Sequence, residues 1–344
     1  MKKGRLPLPP HFAPERVGEI WRPDHGELAA SAEAWAKRHG LRPAEDDAPK
    51  ISLLAVDVQN SFCIPGYELF VAGPSGRGAV DDNRRLCEFV YRNLGLLSQI
   101  CPTMDTHHPF QIFHPSFWID AHGEHPRPFT LVSTEDLDRS RWRVDPRVSS
   151  VLGLDEAFLE RYVRHYARAL AEGGKYDLTI WPYHAILGSP GHALVPTVEE
   201  AVFFHAIARQ AQPAFQVKGD HPLTEHYSVL GPEILAGPEG EPVAERSEAF
   251  VDRLLHSDAV VVAGQAKSHC VAWTIADLLQ DITLRNRHLA EKVYLLEDCT
   301  SPVVVPGAMD YSEEADAAFR RFEDAGMHVV RSTDPIESWP NAPL

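Results

Sequence analysis

The stretch Ala259–Gln280, A-V-V-V-A-G-Q-A-K-S-H-C-V-A-W-T-I-A-D-L-L-Q, constrains the fold more than any other part of the chain. Val260 to Ala263 form a short β-branched run of the kind that fills a buried central strand. Gly264 closes it. Val271, Ile275, Leu278, Leu279 and Ile282 then recur at helical spacing, with Thr274 on the same side. Ser268 is placed to cap that helix, so Cys270 falls in its first turn. First-turn N–H groups have no intrahelical partner. They favour negative charge, and with it a thiolate, and they can hold an oxyanion formed when that thiolate attacks a carbonyl. A cysteine that packs as a small hydrophobe accounts for the same residues, so Cys270 needs partners before it counts as a nucleophile.

Further strands and helices alternate along the chain. Ile51–Val56 reads as a strand, with Asp57 at its carboxyl end in D-V-Q-N-S-F. Ligands of open α/β sheets bind beyond such ends, although a turn or cap aspartate reads the same way. Val80–Leu97 is predicted to be a helix. A weak strand over Gln99–Met104 leads into Asp105, His107, His108 and His114. Two side chains two apart in an extended segment point the same way, and Asp and His are ordinary ligands for a borderline divalent metal; a polar loop is the alternative. A short strand over Leu178–Trp181 precedes His184. Val198–Gln210 is predicted to be a helix. Ala214–Val217 is predicted to be a strand with Lys218 at its end, either a surface lysine or a third group beside Asp57 and Cys270. Lys292–Leu296 and Met327–Val330 complete the strands, and Glu313–Ala325 another helix. The alternation indicates an α/β fold with a mostly parallel sheet.

The domain plan follows from what surrounds these elements. Residues 1–50 form an N-terminal arm rich in Pro, Glu, Asp and Ala, with one short helix over Leu28–Trp35. Residues 51–344 form a single catalytic α/β domain with insertions at about 115–176 and 220–248. The first insertion carries a helix over Asp155–Leu170, and it holds too few apolar runs to fold as a separate domain.

Composition limits the partners. The chain of 344 residues carries 33 basic and 49 acidic side chains, a net charge of −16. That argues against nucleic acid, which calls for a basic field. No apolar run reaches the roughly 18 residues of a membrane span, and the N-terminus lacks the apolar core of a secretory signal. Five cysteines without a C-x-x-C pair fit a reducing cytoplasm better than a disulfide scaffold. There is no phosphate loop and no dinucleotide fingerprint.

Asp57, Lys218 and Cys270 thus stand at strand ends or a helix start, which one edge of a parallel sheet brings together. A thiol nucleophile needs a proton acceptor and a nearby positive charge. With this set on the page, the chain resembles the isochorismatase-like cysteine hydrolases, and within them the nicotinamidase branch. The pieces that carry the resemblance are A-V-D-V-Q-N-S-F, D-T-H, W-P-Y-H-A-I-L-G-S-P-G, V-K-G, H-Y-S with Tyr227, and G-Q-A-K-S-H-C-V, spread over about residues 51–330.

The resemblance implies a three-layer α/β/α fold. It also implies a Cys270–Asp57–Lys218 triad, a cis peptide between Gln265 and Ala266, and an oxyanion hole from the amides of Ala266 and Cys270. A divalent metal, zinc by preference with iron or manganese as alternatives, would be held by Asp105, His107 and His184, with His114 as a further ligand and His108 as its substitute. Phe62 and Trp181 would sandwich the ring of a small-molecule amide, hydrolysed to an acid and ammonia through a thioester. A homo-oligomer is expected. The chain departs from the family pattern at Ser61, often aspartate, at Lys267, often threonine, and in the lengths of the two insertions.

Overall fold

The computed structural model describes residues 5–307, 309–342 and 344. Six strands form one sheet: β1 Ile51–Val56, β2 Leu97–Asp105, β3 Gln216–Lys218, β4 Ala259–Gly264, β5 Val293–Leu296 and β6 His328–Val330. Their order is β6-β5-β4-β1-β2-β3, and every neighbouring pair is parallel. Parallel sheets are covered on both faces, so their strands are apolar throughout. In β1 all six residues are buried, and they alternate between two cores. Leu54 and Val56 face one core with Val260, Val262 and Leu295, whereas Ile51, Leu53 and Ala55 face the other with Val261, Tyr294 and Leu296.

Helices His25–His39 (α1), Gly78–Arg92 (α2), Glu156–Glu172 (α3), Pro196–Arg209 (α4), Ala272–Arg285 (α5) and Ser312–Asp324 (α6) surround the sheet. On α5 the expected inner face is buried at Thr274, Ile275, Leu278 and Ile282. The helix expected over Val80–Leu97 ends at Arg92, because Asn93 caps it by donating its side-chain amide to the Phe89 carbonyl at 2.8 Å. Leu97 therefore opens β2 instead. That strand, weak by composition, is nine residues long, and it is held between β1 and β3.

Two sequence expectations change. Leu178–Thr179 pairs antiparallel with Leu131–Val132 in a small sheet of its own. The stretch over 115–176 also buries more than its sequence suggested. Trp118, Val148, Leu159, Tyr162, Tyr166 and Leu170 join the same core as Val260 and Leu295; the last four do so because α3 sorts its apolar residues onto one face. The arm packs on its own chain, with Leu28, Ala32 and Trp35 of α1 buried in the core that Phe204 of α4 shares. All five cysteines are free and buried. Among the described residues no helix is long and apolar enough to cross a membrane.

Candidate active site

The carboxyl ends of β1, β2, β3 and β4 lie side by side, since Asp105 pairs with Lys218 and Val56 with Gly264. The chemistry gathers there. Asp57 follows β1 with φ +44°, a left-handed geometry rare for a residue with a side chain. Thr103 of β2 holds it from two directions. The Thr103 hydroxyl accepts the Asp57 N–H at 2.9 Å and donates to Asp57 Oδ1 through a short contact. Asp57 Oδ2 is left facing Lys218 Nζ at 3.0 Å. The same ammonium lies 2.9 Å from Asp105 Oδ1 and 3.7 Å from Cys270 Sγ, and it donates to the His226 carbonyl at 2.8 Å. One ligand atom each from Asp57, Asp105 and Cys270 falls within a 4.8 Å group. The three groups singled out in the sequence are thus brought together, and all are buried.

Gly264 is required where β4 turns into this site. Its φ is +118°, and a Cβ there would overlap the Val56 backbone. The Gln265–Ala266 peptide is cis. The chain then makes a widened π turn over Lys267–Val271 before α5 begins. Ser268 is therefore not the expected helix cap; its hydroxyl accepts the Val303 N–H at 3.0 Å and meets His269 Nδ1 at 2.9 Å. Lys267 turns away from the site onto Asp316 at 2.6 Å and over the Phe319 ring.

The electrostatics also correct one expectation. Burial pushes the Cys270 thiol well above its ordinary range, opposed by Lys218 and reinforced by Asp57 and Asp105. Desolvation and two carboxylates outweigh the favourable turn and ammonium, so the resting sulfur is a thiol. Burial likewise raises the Asp57 carboxyl, with Lys218 opposing. Burial works against the Lys218 charge, yet Asp105, Asp57 and Cys270 prevail and hold its pKa well above normal. Asp105 resists burial through His107 and Lys218 and lies below the usual carboxylate range.

Beside this cluster, one ligand atom each of Asp105, His107 and His184 lies within 4.8 Å of the others. Their hydrogen bonds fit a metal. His107 Nδ1 sits 2.9 Å from the Gly219 carbonyl and His184 Nδ1 2.7 Å from the Pro182 carbonyl. A ring nitrogen beside a carbonyl must carry a proton, so Nε2 is the nitrogen of each ring left to face a ligand. His107 Nε2 faces Asp105 Oδ2 at 3.0 Å, a contact that either a proton on Nε2 or a cation between the two atoms satisfies. His114 repeats the pattern, with Nδ1 3.0 Å from the His108 carbonyl and a buried Nε2 without a partner. Burial drops its pKa to about 3, so its ring is neutral. His114 stands outside the tight group of three, its ring centre 5.8 Å from that of His107 and 5.7 Å from that of His184. His108 contributes its backbone here.

A cavity of about 270 Å³ opens onto both clusters and is lined by Cys270, Ala266, Asp105 and His184 together with Phe62 and Trp181. Several of its supports were not legible beforehand. Gln59 donates to the Asp105 carbonyl at 2.8 Å and accepts the Asp105 N–H at 2.7 Å; the D-V-Q-N motif was the signal for it. Ser61, one of the departures, donates to Glu68 at 3.0 Å and accepts the Ala185 N–H at 2.9 Å, which ties down the loop carrying His184. Glu225 and His269 also line the cavity. Burial raises the Glu225 carboxyl well above its usual range, with Lys218 opposing.

No family model matches the chain. A curated relative, the nicotinamidase of Escherichia coli (strain K12), is 24% identical over 239 residues, which cover 67% of this chain and 78% of the relative. Among solved structures, the Acinetobacter baumanii nicotinamidase pyrazinamidease aligns at 19% identity and TM-score 0.47 over 84% of this chain and 99% of its own. The yeast nicotinamidase Pnc1p aligns at 18% and 0.49 over 81% and 99%. The chain is thus similar in sequence to a nicotinamidase over two thirds of its length.

Proposed function

We propose that the protein hydrolyses the carboxamide of a small heteroaromatic amide, nicotinamide in the first instance, to the carboxylic acid and ammonia. The observation that carries this reading is the buried ammonium of Lys218 within 3.0 Å of Asp57 and 3.7 Å of the Cys270 sulfur. It is the arrangement an amide hydrolase with a thiol nucleophile needs.

Asp57 takes the Cys270 proton as sulfur bonds to the carboxamide carbon. The raised pKa of Asp57 makes it a stronger base than a solvated carboxylate. Lys218 holds the negative charge whether it lies on the carboxylate or on sulfur. The carbonyl oxygen becomes an oxyanion facing the amides of Ala266 and Cys270. Asp57 then gives its proton to the departing nitrogen, the C–N bond breaks and ammonia leaves a thioester. A water loses a proton to Asp57 and attacks the thioester carbon. The C–S bond breaks, and Cys270 recovers its proton as the acid is released.

Asp105, His107 and His184 would hold a divalent metal, with His114 as a further ligand. Bound there, such an ion would supply a Lewis-acid anchor for a ring nitrogen. Imidazole with carboxylate suits zinc and also iron or manganese. Phe62 and Trp181 offer flat faces to an aromatic ring. Ammonia release over nicotinamide, pyrazinamide and benzamide tests the reading. The first two are expected to turn over well ahead of benzamide, which lacks a ring nitrogen; equal rates for all three would remove the anchor from the account.

A further inference from the structure

His269 precedes the nucleophile and lines the same cavity, yet the chemistry above gives it nothing to do. Tyr176, Trp181, Tyr227 and Tyr311 pack around it, with ring centres 4.7 to 5.7 Å away. It is 4% exposed, and its Nε2 is buried without a hydrogen-bond partner among the described residues. Its protonation follows from its neighbour. The Ser268 oxygen accepts from the Val303 N–H and lies 2.9 Å from His269 Nδ1. Among the described residues Nδ1 is the one acceptor for the Ser268 O–H, so Nδ1 accepts and the ring proton sits on Nε2. Burial keeps the ring neutral, with its pKa lowered to about 3. Beside the cavity the chain therefore holds a fixed, neutral N–H donor among aromatic rings, which are weak acceptors at best.

We infer that His269 Nε2 forms a polar subsite for a neutral oxygen acceptor carried on the ring of the substrate, so that the preferred substrates are heteroaromatic amides bearing such a group. A carboxylate is a poor candidate for this subsite, because the aromatic rings packed around the donor would leave its charge poorly solvated. Buried donors make discriminating sites, since a ligand lacking the acceptor leaves the donor unpaired. The inference rests on the amide-hydrolase reading for its substrate class.

The test uses zinc-loaded enzyme and nicotinamides carrying a methoxy group at each free ring carbon, with the ethyl compounds as size controls. At one ring position the wild-type kcat/KM ratio of methoxy to ethyl should exceed about tenfold. It should fall towards one in His269→Phe and recover in part in His269→Gln, which keeps a donor. A wild-type ratio near one at every position overturns the inference, whatever the variants do, and so does a ratio that His269→Phe leaves unchanged. If no amide is turned over, the hydrolase reading fails separately. The same ratio, read as dissociation constants on zinc-loaded Cys270→Ala by calorimetry, still decides whether the subsite exists.

Discussion

Lys218 and Asp105 are paired at the ends of neighbouring strands, with the ammonium 2.9 Å from the carboxylate. The other Asp105 oxygen faces His107 at 3.0 Å. One carboxylate thus joins the group around the cysteine to the histidine cluster. Replacing it should damage both. Asp105→Asn is expected to lose metal, measured by elemental analysis, and to lower kcat/KM at least about 100-fold, beyond the 10–100-fold cost of disturbing a supporting group. A variant that keeps full metal and full activity would break the proposed link.

Thr103 should matter although it touches no substrate. Its hydroxyl is the hydrogen-bond donor to Asp57 Oδ1. Thr103→Val keeps the shape and removes the bond, which for a charged acceptor is worth about 1.5–3 kcal/mol. The expected result is a kcat lowered roughly 10- to 100-fold with KM little changed, read from steady-state kinetics.

Gly219 makes room for the proposed metal ligands. Its φ is +86°, and a Cβ there would run into the Asp105 carboxylate and the His107 ring. Gly219→Ala is expected to weaken metal affinity about 10- to 100-fold, the range for displaced ligands, as measured by competition with a chelator. Unchanged affinity would show that the ligands have slack.

His205 offers a clean pH test of stability away from the site. It is buried, with Nε2 2.9 Å from the Leu97 carbonyl, and burial lowers its pKa to about 4. The unfolded chain binds a proton near the ordinary value of 6.5 while the folded chain does not. Stability therefore falls as pH drops from 6.5 towards 4, by roughly 3 kcal/mol when complete. Urea melts of wild type and His205→Gln across this window should show that loss in the wild type and less of it in the variant.

The legible parts of the molecule were those where one local pattern sufficed. Val260–Ala263, Ile51–Val56 and the inner face of α5 are dense apolar signals, and the structure has them where the pattern puts them. Asp57, Lys218 and Cys270 were legible because strand ends share an edge. Thr103 was not, since its bond to Asp57 spans 46 positions and a threonine in a strand looks like ordinary filling. Ser268 misled for a local reason: the turn widens there, and its hydroxyl serves Val303 and His269. The thiolate expected at Cys270 overlooked burial, which only the folded surroundings reveal. The 115–176 stretch was underestimated because its apolar residues are dispersed in sequence and gathered only on folding, in part by α3.

The central claim is that the sulfur of Cys270 carries the acyl group between loss of ammonia and attack by water. Rapid acid quenching of zinc-loaded enzyme during turnover of nicotinamide, followed by mass spectrometry of its peptides, tests it directly. The account predicts a nicotinoyl mass on the peptide containing Cys270, absent in Cys270→Ala, which should fold and release no ammonia. Ammonia release by Cys270→Ala at the wild-type rate would contradict it.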